Sequence, residues 1–274
     1  MISVVQLGRI DYAAGLRIQQ MLIELRKASR IGDVLLLLEH TPVITLGRNA
    51  KAANILLPPE QLALRGVEVF ECDRGGDVTF HGPGQLVGYP IFDLLGYATP
   101  EGKRKTLGAI DYIRRLEEVL MRTCADFSIS TKRVPGLTGV WTNNVAANIR
   151  SGQDGSETRP CAESKIAAIG VHISRFVTSH GFALNVNADL SYFDLIIPCG
   201  ITSKPVTSMR KELGQEIDIS EVSTSVSRNF GDVFSSQMLW VETLDALLGY
   251  SIGVPMKAPE ELRAIRGEED LFLA

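Results

Sequence analysis

The first forty residues alternate between strand and helix patterns. Residues 4–7 predict a short strand, and residues 13–30 predict a helix because their apolar positions recur at helical spacing. Those positions are Ile18, Met21, Leu22 and Leu25. Residues 33–39 carry an unbroken apolar run of strand length, which predicts a strand buried on both of its faces.

Further strands and two longer helices follow along the chain. The predicted strands cover residues 67–70, 77–80, 86–92, 140–142, 165–174 and 176–186. Thr106 is predicted to cap a helix that runs to about Ala125. The inward-facing residues of that helix are predicted to be Ile110, Ile113, Leu116 and Leu120. The segment from Asp218 to Glu221 has the pattern of a capping box, which predicts another helix ending near Phe234.

These elements interleave without the regular strand–helix–strand repeat of a doubly wound sheet. The pattern therefore predicts an α+β fold, a two-layer α/β arrangement with helices on a mixed sheet. Residues 150–160 are rich in Ser, Gly and charged side chains, and we interpret them as a flexible surface insertion. One domain is predicted over residues 1–238. Residues 239–274 are interpreted as a C-terminal extension of unknown role, a short helix followed by a tail.

Length, charge and cysteine spacing narrow the class of protein. The chain has 274 residues and a net charge of −4, so it can bury a substantial core, and its overall charge does not favour nucleic acid. No apolar run approaches the ~20 residues of a membrane helix, and the N-terminal residues show no signal-peptide pattern. The cysteines form no Cys-x-x-Cys pair, which argues against a zinc site. We therefore expect no metal, reduced thiols and a cytoplasmic location.

Residues 74–85 form the most informative segment of the chain. Glycine allows the backbone to approach a ligand closely, and proline stiffens a turn. An apolar run, residues 86–94, follows directly. The pattern favours a ligand-cradling loop set into a sheet. Its four glycines and one proline surround four polar side chains: Gly75, Gly76, Gly82, Pro83 and Gly84 stand around Arg74, Thr79, His81 and Gln85.

Five other sequence blocks accompany this loop. They cover residues 38–48, 136–141, 165–171, 180–186 and 196–201. In this order the blocks resemble the octanoyltransferases of lipoic acid biosynthesis, over most of the chain. The resemblance implies the fold shared with biotin and lipoate protein ligases. It also implies an acyltransferase that moves an octanoyl or lipoyl group without a cofactor.

The same resemblance implies the partners of the reaction. The implied donor is octanoyl-acyl carrier protein. The implied acceptors are the lipoyl domains of 2-oxoacid dehydrogenase complexes and the glycine cleavage H protein, each modified on a lysine. Neither nucleic acid nor a membrane is expected as a partner.

Cys199 is the candidate nucleophile. It lies between Pro198 and Gly200, where proline makes the approach rigid and glycine leaves room beside the sulfur. A free cysteine is more often a small buried apolar residue, and the other three cysteines keep that interpretation. For Cys199, the resemblance implies a catalytic nucleophile instead of a buried apolar residue. Among the others, Cys72 adjoins the glycine loop and is the one to check; the remaining two are Cys124 and Cys161.

Lys165 is the candidate partner of Cys199. It opens the apolar segment 166–169, which draws its backbone toward the core, and the resemblance pairs the two side chains. A thiol with an ordinary pKa of ~8.5 is only a few per cent thiolate at neutral pH, and a nearby ammonium group raises that fraction. The expected reaction is attack of the Cys199 thiolate on the octanoyl thioester, followed by attack of a lipoyl-domain lysine on octanoyl-Cys199. Lys165 supports the thiolate first and accepts the amine proton later.

Substrate-binding residues are implied in the glycine loop and on two later strands. His81 is an alternative partner for Cys199, weaker than the lysine, and otherwise positions the acyl group. His180 opens another substrate-contacting block, whereas His40 and His172 are interpreted as structural. The implied substrate-binding residues are Arg74, Gly75, Gly76, Asp77, Val78, Thr79, Phe80, His81, Ala168, Ile169, Gly170, Gly181, Phe182 and Ala183.

Backbone N–H groups are the candidate oxyanion donors. They belong to Gly75, Gly76 and Cys199. His172 stands where relatives carry arginine, and Phe80 where they often carry tyrosine. Neither difference changes the proposed chemistry.

Carrier docking and two alternative functions complete the expectations. Acyl carrier proteins are acidic, so a net-negative enzyme needs a local basic surface. The candidates are residues 103–105, Lys132 with Arg133, and Arg48 with Lys51.

One alternative function is an ATP-dependent lipoate or biotin protein ligase of the same fold, in which the amine attacks an acyl-adenylate. The other is a non-catalytic acyl-binding or carrier-docking module. A hydrolase is not supported, because no Gly-x-Ser-x-Gly pattern is present.

Overall fold

A mixed eight-stranded sheet forms the centre of the fold. The computed structural model describes residues 1–97, 106–142, 163–198 and 204–249. In spatial order the strands are β11 (Met238–Val241), β1 (Ile2–Ile10), β2 (Asp33–His40), β6 (Gln85–Ile91), β10 (Val177–Asn185), β9 (Ser164–Ser174), β8 (Leu137–Thr142) and β7 (Thr131–Val134). Strands β11, β1 and β2 run parallel, and every pairing from β2 through β6 to β7 is antiparallel. The mixed sheet predicted from the sequence is confirmed.

A second, three-stranded sheet leads into the first. It has the order β4 (Glu68–Glu71), β3 (Val43–Leu46) and β5 (Val78–His81). The turn from β5 to β6 contains Gly84, which has a φ of +79°. A side chain there would begin 2.6 Å from the Asn187 backbone, so only glycine fits this turn. The tight connection places the end of the small sheet directly beside the main sheet.

Helices cover both faces of the main sheet. The helices are α1 (Tyr12–Lys27), α2 (Pro59–Leu64), α3 (Ala109–Asp126), α4 (Met209–Leu213), α5 (Ile219–Phe234) and α6 (Leu244–Leu247). Leu35 and Leu37 of β2 pack into the cluster that contains α3 and α5, whereas Leu36 and Leu38 pack into the cluster that contains α1. Successive side chains of a strand point to opposite faces. The prediction that residues 33–39 are buried on both faces is therefore confirmed.

The start of α5 agrees with the prediction from the sequence, whereas the start of α3 differs from it. The Asp218 side chain accepts a hydrogen bond from the Ser220 N–H at 2.8 Å and caps α5, as predicted. The prediction that Thr106 caps α3 is wrong, because Thr106 forms a bridge with Leu95 and the helix begins only at Ala109.

The inward face of α3 is also shifted at its first turn. The prediction that Ile110 faces inward is wrong, since 74% of its surface is exposed. Leu107, just before the helix, is buried in the core instead. Leu116 and Leu120 are buried as predicted. Because a helix turns by about 100° per residue, Ile110 lies on a different side of α3 from the buried Leu116.

Three short strands were not predicted from the sequence. The periodicity did not predict β3, β7 or β11, each of which has four residues. Strand β11 pairs with β1, with Ile2 opposite Met238, so it crosses the domain boundary predicted at residue 239. That boundary stays a prediction, and residues 150–160 and 250–274 lie outside the described residues. Over the described ranges, no helix is long and apolar enough to cross a membrane.

Candidate active site

Arg74 fixes the glycine loop between β4 and β5. Its buried guanidinium group donates from Nη2 to the Thr45 carbonyl oxygen at 2.6 Å and from Nη1 to the Gly75 carbonyl oxygen at 3.1 Å. The Gly75 N–H donates to the Val171 carbonyl oxygen at 3.0 Å. A Cβ at Gly170 would lie 2.8 Å from the Gly75 carbonyl oxygen, so glycine at 170 permits this close approach. The loop therefore joins the small sheet to β9 of the main sheet.

The loop and strands β9 and β10 enclose a cleft of about 480 Å³, counted out to its open mouth. The structure brings together three separate blocks of the sequence here. Twelve of the fourteen implied substrate-binding residues line the cleft: Arg74, Gly75, Gly76, Asp77, Thr79, His81, Ala168, Ile169, Gly170, Gly181, Phe182 and Ala183. Their contact with an acyl substrate stays a prediction.

Val78 and Phe80 do not line the cleft. Both side chains are buried in the apolar cluster beneath the small sheet, where the Phe80 ring stacks on Tyr192 with centroids 4.7 Å apart. The reason is strand alternation: Thr79 and His81 point into the cleft, so the intervening residue points away. The sequence block included both faces of β5 without distinguishing them.

Two tyrosines that were not predicted from the sequence also line the cleft. They are Tyr12 from the first turn of α1 and Tyr89 from β6. Tyr89 lies within the strand predicted over residues 86–92, and the sequence contained no signal for its direction. The Tyr12 ring is parallel to the His81 ring, with centroids 6.2 Å apart. Burial raises the pKa of both phenols, so they stay protonated and supply O–H groups at neutral pH.

His40 supports Tyr89 from behind the cleft. Its Nδ1 lies 3.1 Å from the Ile10 carbonyl oxygen, so Nδ1 carries the proton and donates. Its Nε2 then accepts from the Tyr89 hydroxyl at 2.6 Å. Burial lowers the pKa of His40 to about 4, which keeps the ring neutral. This geometry agrees with the structural interpretation of His40.

His81 is a neutral hydrogen-bonding group in the cleft wall. Its Nδ1 lies 2.7 Å from Gln85 Oε1, and Gln85 Nε2 donates to Asn185 Oδ1 at 2.9 Å, so Nδ1–H is the donor. Burial lowers the pKa of His81 to about 3, and the charges of His40 and Arg74 act in the same direction. A base with so low a pKa accepts a proton poorly at neutral pH. The arrangement favours substrate positioning over a Cys–His pair.

The two buried histidines predict acid sensitivity of the fold. An unfolded histidine titrates near ~6.5, whereas the pKa values of His40 and His81 in the fold are about 4 and about 3. The unfolded chain therefore binds more protons, so their contribution to stability is present above the unfolded pKa and is lost as the pH falls. Two such protons correspond to a loss of about 2 kcal/mol per pH unit between about pH 6 and pH 5.

Urea unfolding at several pH values checks this expectation. The variant His81→Gln should lose roughly half of the pH slope that His40 and His81 contribute together, because glutamine does not titrate. His180, whose pKa is also lowered, keeps its own contribution. Equal slopes in the variant and the parent between pH 5 and 6 would contradict the assignment of a neutral His81.

Asp73 ties the start of the glycine loop to β9 and β10. Its Oδ1 lies 2.7 Å from His180 Nε2, and its other carboxylate oxygen lies 3.7 Å from His172 Nε2. Burial lowers the pKa of His180, although the hydrogen bond that its ring donates to Asp73 acts in the opposite direction. For Asp73, burial acts to raise the pKa, but the hydrogen bond and charge of His180 outweigh it and the pKa is lowered. His180 also lines the cleft, as its sequence block implied.

Lys165 lies near the start of β9, the same strand that carries Ala168 and Gly170 of the cleft wall. Only 8% of its surface is exposed. Its backbone N–H donates to the Pro205 carbonyl oxygen at 2.9 Å, and its carbonyl oxygen accepts from the Thr207 N–H at 2.9 Å. The chain that follows residues 199–203 is thus bonded to the backbone of Lys165.

Cys199 and Cys161 lie outside the described residues. The nearest described neighbours of Cys199 in sequence, Pro198 and Lys204, line one surface groove. The pairing of Cys199 with Lys165 stays a prediction, as does the oxyanion role of the Cys199 N–H.

The two described cysteines have other environments. Burial raises the pKa of Cys124 to about 12, so this thiol is inert. The half-buried Cys72 donates from Sγ to the Leu46 carbonyl oxygen at 3.4 Å. Across the described ranges, no cluster of three or more His, Cys, Asp or Glu side chains is arranged to hold a metal ion.

Carboxylates pair with the cations of one candidate basic surface. Lys132 pairs with Glu163 at 2.7 Å, and Arg133 pairs with Glu117 at 3.0 Å and with Glu118 at 2.9 Å. Each of these carboxylates also pairs with a second cation, so five cations share three carboxylates here. The candidate at residues 103–105 lies outside the described part of the chain.

Arg48 and Lys51 form another candidate, beside the glycine loop. Both are exposed, and among the described residues neither has a carboxylate within ion-pair distance. The Arg48 N–H donates to the Arg74 carbonyl oxygen at 3.0 Å, and the Lys51 N–H donates to Asp77 Oδ1 at 3.3 Å. The backbone of both residues is therefore fixed beside the glycine loop.

Comparison with known proteins defines the class of this fold and cleft. Residues 11–231 match the family described as the lipoyl protein ligase A/B catalytic domain. A lipoate-protein ligase A structure with bound ATP superposes with a TM-score of 0.63 and 12% identity, covering 90% of this chain and 92% of that one. A bipartite lipoate protein ligase from Thermoplasma acidophilum gives 0.63 and 13% identity, covering 93% and 98%. At such low identity these structures show the fold alone, and it is the α+β fold expected from the sequence.

Relatives of higher identity identify the particular family. An octanoyltransferase from Koribacter versatilis is 55% identical over 100% of both chains. An octanoyltransferase from Acidobacterium capsulatum is 53% identical over 90% of this chain and 96% of its own. The chain belongs to the octanoyltransferase family, whose members are acyltransferases. The resemblance found in the sequence blocks is confirmed.

Proposed function

We propose that this protein transfers an octanoyl group from acyl carrier protein to a lysine of a lipoyl domain, through a thioester on Cys199. The supporting observation is the position of Lys165, a buried lysine on the strand that also forms the cleft wall. The names of the full-length relatives support the choice of acyl group. The protein would act in the first step of endogenous protein lipoylation, in a cytoplasm where thiols stay reduced.

The proposed loading step forms one carbon–sulfur bond and breaks another. The Cys199 thiolate attacks the thioester carbonyl carbon, and the carrier's phosphopantetheine sulfur leaves. That sulfur takes a proton from the Lys165 ammonium group, which becomes neutral. The exchange of one thioester for another is nearly isoenergetic, so no ATP is required.

The proposed transfer step restores the enzyme. A neutral lysine amine of the lipoyl domain attacks octanoyl-Cys199, and the Cys199 thiolate leaves as the amide forms. The attacking nitrogen gives its proton to Lys165, which becomes an ammonium group again. One lysine thus serves both half-reactions, because Lys165 loses a proton during octanoyl loading and regains one during octanoyl transfer.

The cleft supplies apolar surface for the acyl chain. Ile169, Phe182 and Ala183 are among its apolar lining residues. Burial of an octanoyl chain at ~0.8 kcal/mol per CH₂ gives about 5 kcal/mol, enough to favour it over short acyl groups. Because the Gly75 N–H donates to Val171, we assign the loop's part of the oxyanion hole to the Gly76 N–H beside the Arg74 charge.

Intact-mass analysis tests the proposed function. The wild-type protein incubated with octanoyl-carrier and no ATP should gain one octanoyl group, and it should lose that group when a lipoyl domain is added. Formation of octanoyl-AMP from free octanoate and ATP would support the ligase alternative instead. Absence of any adduct, with the loaded carrier verified, would support a non-catalytic acyl-binding module.

The family implies an acyl donor and a lipoyl-domain acceptor. We propose that the donor is the acidic octanoyl-acyl carrier protein and that it docks at Arg48 and Lys51. The acceptors would be the lipoyl domains of 2-oxoacid dehydrogenase complexes and the glycine cleavage H protein. Opposite charges steer such encounters, and the effect weakens as salt screens them.

Reversing the charges at Arg48 and Lys51 should weaken carrier use selectively. The double variant Arg48→Glu, Lys51→Glu should raise KM for octanoyl-carrier by roughly tenfold at low salt. KM for a small octanoyl thioester should stay unchanged, because that substrate does not contact the docking surface. Steady-state kinetics with both donors at two salt concentrations measure the difference. An equal change for both donors would contradict docking at this surface.

A further inference from the structure

Two lysine ammonium groups lie against one buried indole ring beside the cleft. Trp141 on β8 is 1% exposed. Lys165 Nζ lies 4.7 Å from the centroid of its ring, and Lys204 Nζ lies 5.5 Å from it. Both distances are within the range of a cation–π interaction, for which tryptophan is the best aromatic partner and which strengthens with desolvation.

The backbone fixes this arrangement. Trp141 and Lys165 are directly opposite each other in the register of β8 and β9. The neighbouring Gly139 has a φ of +119°, and a Cβ there would lie 3.6 Å from Lys165 Cε and 2.6 Å from the Ala167 carbonyl oxygen. Glycine at 139 therefore permits the close approach of the β9 backbone, whereas a Cβ there would only touch the Lys165 side chain. The cross-strand pairing places the Lys165 side chain beside the tryptophan ring.

Burial distinguishes the two lysines. Glu163 accepts a short hydrogen bond from Lys204 and pairs with Lys132 at 2.7 Å. Lys204 is therefore held by an ion pair as well as by the ring. Lys165, the proposed catalytic residue, is more deeply buried than Lys204, whose side chain is 25% exposed. The ring is a buried surface against which the Lys165 ammonium group lies.

We propose that Trp141 is a positioning residue for the octanoyl transfer: its indole face holds the Lys165 ammonium group in the place from which it acts on Cys199. The inference rests on the proposed function. A free lysine side chain samples many rotamers, and each misplaced rotamer removes the cation from the reacting sulfur. An apolar side chain at 141 would fill the same space without attracting a cation. The electron-rich face of the ring, and not its bulk, is the property that matters.

Fluorinated tryptophan separates these two properties. The chain has only two tryptophans, Trp141 and Trp240. Trp240 is 44% exposed on β11, an edge strand far from β8 in the order of the main sheet, so Trp240→Phe should leave activity intact. In that background, biosynthetic incorporation of mono-, di-, tri- and tetrafluorotryptophan changes Trp141 alone. Fluorine withdraws electron density from the ring while it nearly preserves the ring's shape.

The rate of octanoyl loading onto the enzyme is the measured quantity. Its logarithm should fall steadily with the number of fluorine atoms, by roughly tenfold over the series. KM for octanoyl-carrier and the unfolding midpoint should stay nearly constant, since binding surface and shape are preserved. A loading rate that does not change over the series would overturn the proposal and leave Trp141 with a structural role. If the unfluorinated Trp240→Phe protein and the wild type both form no octanoyl adduct, the proposed function itself fails, which is a separate outcome.

Discussion

The Cys199→Ala protein is expected to form no octanoyl adduct and to lose essentially all transfer activity. Alanine has no atom that can hold the acyl group, so the covalent route is removed and not merely slowed. Loss of a catalytic nucleophile commonly lowers turnover by roughly 10⁴-fold or more. Intact-mass analysis after incubation with octanoyl-carrier, followed by addition of a lipoyl domain, measures both half-reactions in one experiment.

Cys72→Ala is the matched control for this variant. Cys72 is half-buried beside the glycine loop, and its sulfur already donates to a backbone carbonyl oxygen. We expect the Cys72→Ala protein to be loaded with the octanoyl group at the wild-type rate. A result in which Cys199→Ala still gains the acyl group, while Cys72→Ala does not, would transfer the role of nucleophile to Cys72.

Periodicity in the sequence was sufficient for the long elements of the fold. The buried strand β2 follows from an apolar run of strand length and the helix α1 from helical spacing, whereas α5 follows from the capping-box pattern at Asp218. The start of α3 did not follow from the sequence, because Thr106 is a residue type typical of a helix cap and yet pairs with Leu95 as extended chain. A cap pattern specifies a local preference, and tertiary pairing overrides it at small cost.

The candidate site was predictable where its residues lie in motifs and unpredictable where they come from elsewhere. The glycine loop and the strand blocks near 170 and 182 line one cleft, and their role in binding substrate stays a prediction. Tyr12 joins them from a helix whose pattern shows only amphipathic packing, so no local signal could mark it. The pairing of Lys132 and Arg133 with carboxylates was also hidden, since Glu117 and Glu163 are distant in sequence.

The identity of the residue at 165 should separate the two halves of the reaction. Lys165→Met removes both the charge and the proton acceptor, and we expect overall transfer to fall by roughly a thousandfold. Lys165→Arg keeps a positive charge but stays protonated at any accessible pH, because the pKa of arginine exceeds about 12. Octanoyl loading of the arginine protein should therefore remain within about tenfold of wild type, since a cation still supports the Cys199 thiolate and the released pantetheine thiol can take its proton from water.

Transfer to the lipoyl domain should be the step that the arginine protein loses. The attacking amine must give up a proton as the amide forms, and a guanidinium group cannot receive it, so we expect the octanoyl enzyme to accumulate. Single-turnover mass analysis of loading and of transfer, measured separately, gives the two rates. Lys27→Met is the control, because that lysine is partly buried on α1, pairs with Glu24 and is not among the residues that line the cleft. If Lys165→Arg transfers octanoate as fast as the wild type, the proton acceptor is another group, and Lys165 acts only through its charge.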